Sequence, residues 1–245
     1  MSVTFNQNSM PATQRTIWRG EAKMLPAGFK PLQDFPAGTV LRRGTFVQIF
    51  PDNLTAGVCK IGVVVTGGTT TKPRVAKGHN FVVGDIVTKY GHGGKSPSVN
   101  AIDSSNEAYD VITLSAAYTG LTAGDMLLES TEYGYYDAES TDEGALKVVA
   151  SGASTGQINL ADVTPYKGSK TLAANDYVIL KNAEAKYLPN AVLGEDREIK
   201  ASDLPTLDVA WGALVIKDVA PAIPSDWLDG GLCLKNNHNI LLIRQ

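Results

Sequence analysis

Charge and cysteine are both scarce in this chain of 245 residues. Charged residues make up only 19%, against roughly 25% in an average soluble protein. There is no excess of cations, since 22 Lys and Arg face 25 Asp and Glu for a net charge of -3. A mildly acidic chain offers no clear cationic face to a phosphate backbone, so no nucleic-acid partner is expected. The two cysteines, Cys59 and Cys233, are too few to form a metal cluster by themselves, and synthesis in the cytosol disfavours a disulfide between them. Each lies among apolar neighbours, where a thiol behaves as a small hydrophobe. No run approaches the ~20 consecutive apolar residues that span a bilayer, so no membrane partner is expected either. The polar start, Met1 to Arg15, lacks the layout of a signal peptide, and synthesis in the cytosol is the expectation.

What the chain has in plenty is punctuation: 24 Gly and 12 Pro leave few stretches long enough for a helix. Between these breaks lie short runs rich in β-branched residues: Thr39–Leu41, Thr45–Phe50, Cys59–Thr66, Phe81–Lys89, Tyr109–Ser115, Leu146–Ala150 and Leu241–Arg244. None carries a sustained helical stripe, and all read as strands. The expected fold is mainly β, with antiparallel barrel-like or sandwich-like domains. One helix rival, Asn175 to Leu188, is decided by an internal echo. Gly84-Asp85, Gly124-Asp125 and Asn175-Asp176 each stand directly before an apolar run. Gly or Asn tolerates a positive φ, and Asp bonds nearby amides, so each pair marks a turn feeding a strand in a repeated hairpin-like unit. Asp176 therefore starts a strand.

Three parts follow: an arm over residues 1–35, a β-rich domain over 36–185 with the repeated units, and a β-rich segment over 186–245. The arm carries Pro11, Pro26 and Pro31, with Pro36 directly after it, and these argue against a helix or a central strand. It also carries Ile17, Trp18, Met24, Leu25 and Phe29, too apolar for a simple flexible leader. The expectation is an extended docking arm anchored by Ile17, Trp18, Arg19, Met24, Leu25 and Phe29, whose removal leaves the rest folded.

No catalytic constellation emerges, and no enzyme or cofactor is expected. Gly91-His92-Gly93-Gly94-Lys95-Ser96 imitates a phosphate-binding loop, but Lys89 occupies the position that needs the first Gly, and Pro97 follows where a helix should start. His79, His92 and His238 lack a His or Cys partner at metal-ligand spacing in sequence; His79 and His92 could share a site only if their loops met, and they read instead as exposed loop imidazoles. Residues Glu129 to Glu143 hold six acids and three tyrosines without a Lys or Arg. Tyr133, Tyr135, Tyr136 and Asp137 are the candidate ligand-facing groups of that loop, suited to a sugar or a divalent cation, although the EF-hand pattern fails because Asp142 stands where its Gly is required.

Several of these motifs also carry a family likeness. Phe81-Val82-Val83-Gly84-Asp85-Ile86-Val87, Tyr109-Asp110-Val111-Ile112-Thr113-Leu114 and Leu121-Thr122-Ala123-Gly124-Asp125-Met126-Leu127 belong to it, together with Pro36-Ala37-Gly38-Thr39-Val40-Leu41 and Gly67-Gly68-Thr69-Thr70-Thr71-Lys72-Pro73-Arg74. The chain so resembles head fibre or capsid decoration proteins of tailed bacteriophages, above all those of crAss-like and other phages of gut Bacteroides-type bacteria. The likeness is best over Pro36 to Ser130 and looser over Leu188 to Gly194. It implies a non-enzymatic virion protein on the capsid exterior, bound to the major capsid protein and frequently a homotrimer. The rival expectation is a carbohydrate-binding fibre or adhesion module that contacts a host-surface glycan.

Overall fold

A computed structural model describes residues 17–91, 96–140, 142–163, 170–201 and 205–244. The first half of the chain gives β1 Trp18–Pro31, β2 Val40–Leu41, β3 Phe46–Phe50, β4 Thr55–Val58, β5 Ile61–Val65, β6 Arg74–Ala76, β7 Val87–Lys89, β8 Val99–Asp103, β9 Tyr109–Leu114 and β10 Met126–Glu129. The second half gives β11 Gly134–Asp137, β12 Leu146–Val149, β13 Gln157–Asn159, β14 Tyr177–Lys181, β15 Ala191–Leu193, β16 Arg197–Glu198, β17 Leu207–Ile216, β18 Leu228–Asp229, β19 Cys233–Leu234 and β20 Asn237–Ile243. The only helical elements among the described residues are single 3-10 turns, and no helix is long and apolar enough to cross a membrane. The fold is mainly β and mostly antiparallel, with Asp176 leading into a strand.

Five strands pair in a closed ring, β1-β4-β3-β15-β17 and back to β1. Closure removes the open edges that a small sheet would otherwise expose. Phe29, Leu41, Val47, Ala56, Val58, Leu193, Leu207 and Val209 form the interior, with Ile199 beside them. The β2–β16 ribbon supplies Leu41 and leads into Ile199. From β17 the sheet runs on through β20, β19 and β18. A second core of Phe46, Val192, Val215, Ile240 and Leu242 lies under that extension.

Between β4 and β15 the chain leaves this ring to build two further sheets. The six-stranded sheet has the order β7-β10-β5-β6-β9-β8, and the four-stranded sheet has the order β11-β14-β12-β13. Where the chain passes to the small sheet and back, it pairs with itself: Ser130 bridges Ala185, and Thr131 N–H donates to Glu184 O at 2.8 Å. The ring thus joins residues from all three expected parts, and the sheets cross the boundaries at 35 and 185.

The Gly-Asp echo is one turn made three times. In each, the Asp N–H donates to the carbonyl three residues back, from Asp85 to Val82, Asp125 to Thr122 and Asp176 to Ala173. Each Asp carboxylate in turn accepts that earlier residue's N–H at 2.6–2.8 Å. The third residue needs a positive φ, and Gly84, Gly124 and Asn175 have 96°, 93° and 79°, which Gly and Asn adopt most cheaply. The turn then grips a neighbouring strand. Gly84 N–H donates to Val99 O while Val99 N–H donates to Asp85 O, and Gly124 with Asp125 does the same to Val64, as Asn175 with Asp176 does to Val148. Pro36-Ala37-Gly38-Thr39 and Arg42-Arg43-Gly44-Thr45 repeat the backbone pattern on Ile199 and Leu193. Thr replaces Asp in both, so the sequence echo passes over them.

Candidate functional site

The segment 18–31 is extended, as expected, but it is not a free arm. It is the first strand of the ring, antiparallel to β17 from Trp18↔Val215 to Phe29↔Leu207. Proline is tolerated in strands at bulges and edges. Pro26 falls in the register shift between Leu25 and Phe29, and Pro31 falls at the strand end beside Ala56. The six anchors accordingly divide. Phe29 is 2% exposed inside the ring with Leu25 packed on that core, and Ile17 packs with Trp18 on the second core.

Arg19 and Met24 remain at the surface, and Trp18 is half-buried under the Arg43 guanidinium at 4.7 Å. Trp18, Met24, Arg43, Glu21, Glu195 and Asp196 line a groove of about 520 Å³. It meets a larger cleft of about 1020 Å³ at Arg43 and Asp196. Asp196 fixes the junction, accepting from the Arg43 N–H at 2.7 Å and pairing with Arg42 at 3.2 Å.

The tyrosine loop is also split. Strand alternation turns Tyr135 into the core of the small sheet, 1% exposed beside Val148, Leu172 and Val178, with its hydroxyl donating to Lys170 O. Tyr136 and Asp137 face outward, and Tyr133 is half-buried with its N–H on Ser96 Oγ at 2.6 Å. Tyr135 cannot belong to a flat ligand platform. Tyr135→Ala should cost about 3–5 kcal/mol, whereas Tyr136→Ala should stay within about 0.5 kcal/mol. Urea unfolding of the two variants checks this.

The cleft is walled in part by His79 and Asp110. His79 is 5% exposed, which corrects the expectation of an exposed imidazole; His92 lies outside the described residues. Phe81 N–H donates to His79 Nδ1 at 2.9 Å, so Nε2 carries the proton and donates to Asp110 Oδ2, also at 2.9 Å. Lys77 Nζ holds the other Asp110 oxygen at 2.6 Å. With both ring nitrogens engaged, His79 has no free lone pair for a substrate proton.

Burial holds His79 below its ordinary 6.5, against the opposing pull of Asp110. Burial alone would raise the Asp110 carboxyl, but hydrogen bonds from Lys77 and Ser104 and the His79 contact leave it below its usual value of 3.8. A lowered histidine binds its proton less tightly folded than unfolded. Its contribution is complete above about pH 6.5 and is lost as pH falls through that value toward the folded one. Asp110 adds a second loss below about pH 3.8. The urea midpoint should therefore drop between pH 7.5 and 5, and His79→Gln should flatten that slope while lowering stability throughout.

A third cluster was not legible from sequence. Lys60 is 2% exposed and donates to both Asp85 oxygens at 2.8 Å, with Glu129 at 3.8 Å and the Phe35 ring at 4.9 Å. Glu129, itself buried, accepts from Gln33 at 2.7 Å and Lys186 at 2.6 Å. Gln33 completes the tie by exchanging bonds with the Val58 backbone at 2.7 and 2.8 Å. Two ammonium groups thus meet two carboxylates where the ring joins the six-stranded sheet. Burial alone would lower the Lys186 ammonium, but its bond and charge contact with Glu129 outweigh that and hold it raised. Burial, with the Glu129 charge, pushes the adjacent Cys59 thiol up, so it stays protonated and inert.

The structure also gathers Asp229, Cys233 and His238, which sequence spacing had left apart. Comparison with protein-family models gives no match, and comparison with curated proteins gives none.

Proposed function

We propose that this chain is a structural virion protein of a tailed phage, a head fibre or capsid decoration protein bound to the major capsid protein on the capsid exterior. The observation that carries the reading is the surface of β1: Trp18 and Met24, with Arg43 beside them, line the groove that opens beside the ring, and Arg19 is exposed on the same strand. Trp, Met and Arg are the residue types enriched where proteins dock, and a half-buried Trp at a recess makes an effective anchor. The motifs that carry the phage resemblance support the same reading. Pro36–Thr39, Val82–Asp85 and Thr122–Asp125 are strand-gripping turns, and their role is scaffolding. The outer strands β7, β8, β11 and β13 end their sheets, and covering such edges favours assembly, here as a homotrimer. Of the sugar-binding alternative's groups, Tyr136 and Asp137 stay exposed while Tyr135 does not.

Capsids lacking the protein provide the test. Wild-type chain should co-sediment with them, and Met24→Glu, which places a charge at an exposed position, should abolish or weaken that at least about tenfold. Wild-type sedimentation by Met24→Glu together with Trp18→Ala would exclude this face, and glycan-array binding without capsid binding would favour the adhesion module.

A further inference from the structure

The hairpins at the far end of the ring's sheet hold three different metal-ligand types in one place. Asp229 and Cys233 are direct cross-strand partners on β18 and β19. The turn between them is a tight one, with Leu232 N–H donating to Asp229 O at 3.0 Å and Gly230 and Gly231 at φ 55° and 72°. Positive φ at both central residues is the hairpin geometry that matches strand twist, and glycine adopts it without strain. On β20, Ile240 and Leu242 point into the core. Strict alternation would send His238 inward with them, but the ladder is irregular between Cys233↔Leu241 and Leu234↔Asn237, and His238 is exposed. Bulges re-aim side chains in this way. The neighbouring Asn237 amide locks that backbone by donating to Asn190 O and Trp211 O, both at 2.7 Å.

As a result one carboxylate oxygen, one thiol sulfur and one imidazole nitrogen lie within 4.8 Å of one another. His238 Nε2 and Asp229 Oδ2 are 3.5 Å apart. Bonds of about 2.0–2.2 Å to N and O and about 2.3 Å to S place neighbouring ligand atoms about 3.3–3.7 Å apart in a tetrahedron, so one edge is already formed. Cys233 Sγ, within 4.8 Å of both and 3.8 Å from the Asp229 carbonyl oxygen, has to move closer to complete the other two edges. We propose that Asp229, Cys233 and His238 bind one Zn²⁺, with water in the fourth position. The mixed sulfur, nitrogen and oxygen set selects zinc over Ca²⁺ or Mg²⁺, which take oxygen ligands. On binding, the S–H bond breaks, sulfur forms its bond to the metal, and the proton passes to solvent. The bound thiolate and carboxylate then balance the 2+ charge. The site cross-links β18, β19 and β20, so the metal's role is to staple the exposed end of the sheet.

Cobalt(II), added to the full chain under reducing and oxygen-free conditions, reads the site directly. Wild type should take up one equivalent with a thiolate-to-cobalt absorption band and visible tetrahedral bands, and Zn²⁺ should displace both. Cys233→Ser should abolish the thiolate band, while Cys59→Ala should keep it. His238→Gln and Asp229→Asn should each weaken binding at least about tenfold. These three ligand positions lie on exposed hairpins, and unchanged circular dichroism checks that each variant is folded. No thiolate band with wild type, or a band unchanged by Cys233→Ser, would overturn the proposal.

Discussion

Phe29→Ala should cost about 3–5 kcal/mol of folding free energy. The side chain is 2% exposed and packs among Val47, Val58, Leu193, Leu207 and Val209, contributed by the other strands of the ring. Truncation leaves a cavity that four neighbouring strands cannot collapse around without losing their pairing. Met24→Ala on the same strand, at a side chain 39% exposed, should cost less than about 1 kcal/mol. Urea unfolding followed by tryptophan fluorescence distinguishes the two. Removal of residues 17–31 goes further, because β17 loses one of its partners and the ring opens. The truncated chain should not fold cooperatively, contrary to the expectation for a detachable docking arm.

Lys60→Met should cost about 3–5 kcal/mol, since deleting one partner of a buried ion pair strands the other charge. The group left behind is Asp85, whose remaining partner in the cluster is the Val82 N–H at 2.7 Å; Glu129 keeps Gln33 and Lys186. Neutralising both members is far milder. Lys60→Met combined with Asp85→Asn should therefore recover part of the loss, with a coupling of about 0.5–3 kcal/mol in a double-mutant cycle. Strict additivity would mean that Lys60 acts through packing on Phe35 and not through charge. Asp85 also belongs to the turn that grips Val99. Its substitution should loosen the six-stranded sheet, which hydrogen exchange at Val99 would report.

Much of the fold was legible because its signals are local. The Gly-Asp and Asn-Asp pairs fix a turn through bonds that span three residues, so reading them at 84–85, 124–125 and 175–176 sufficed to place three turns and reject a helix. The two longest strands were passed over for opposite reasons. In β1 the two glycines and Pro26 look like breaks, yet they coincide with bulges that let a 14-residue strand bend around the ring. In β17 burial runs along both faces, because the strand pairs with β1, β15 and β20, so it lacks the alternation that marks a half-exposed strand. The polar clusters were not legible at all. Gln33 and Glu129 are 96 residues apart, and only the return of the chain to the ring joins them. His238 shows no metal partner at sequence spacing because nothing local announces the ladder irregularity beside Cys233.

The most direct test of the proposed role is electron cryomicroscopy of virions produced from the genome that carries the gene for this chain, at a resolution that traces side chains. The expected result is density on the capsid exterior in which β1 sits in its own ring against β17, with Trp18 and Met24 facing the major capsid protein. Virions without the chain, or a chain bound through the opposite face with the groove beside Met24 open to the medium, would contradict it.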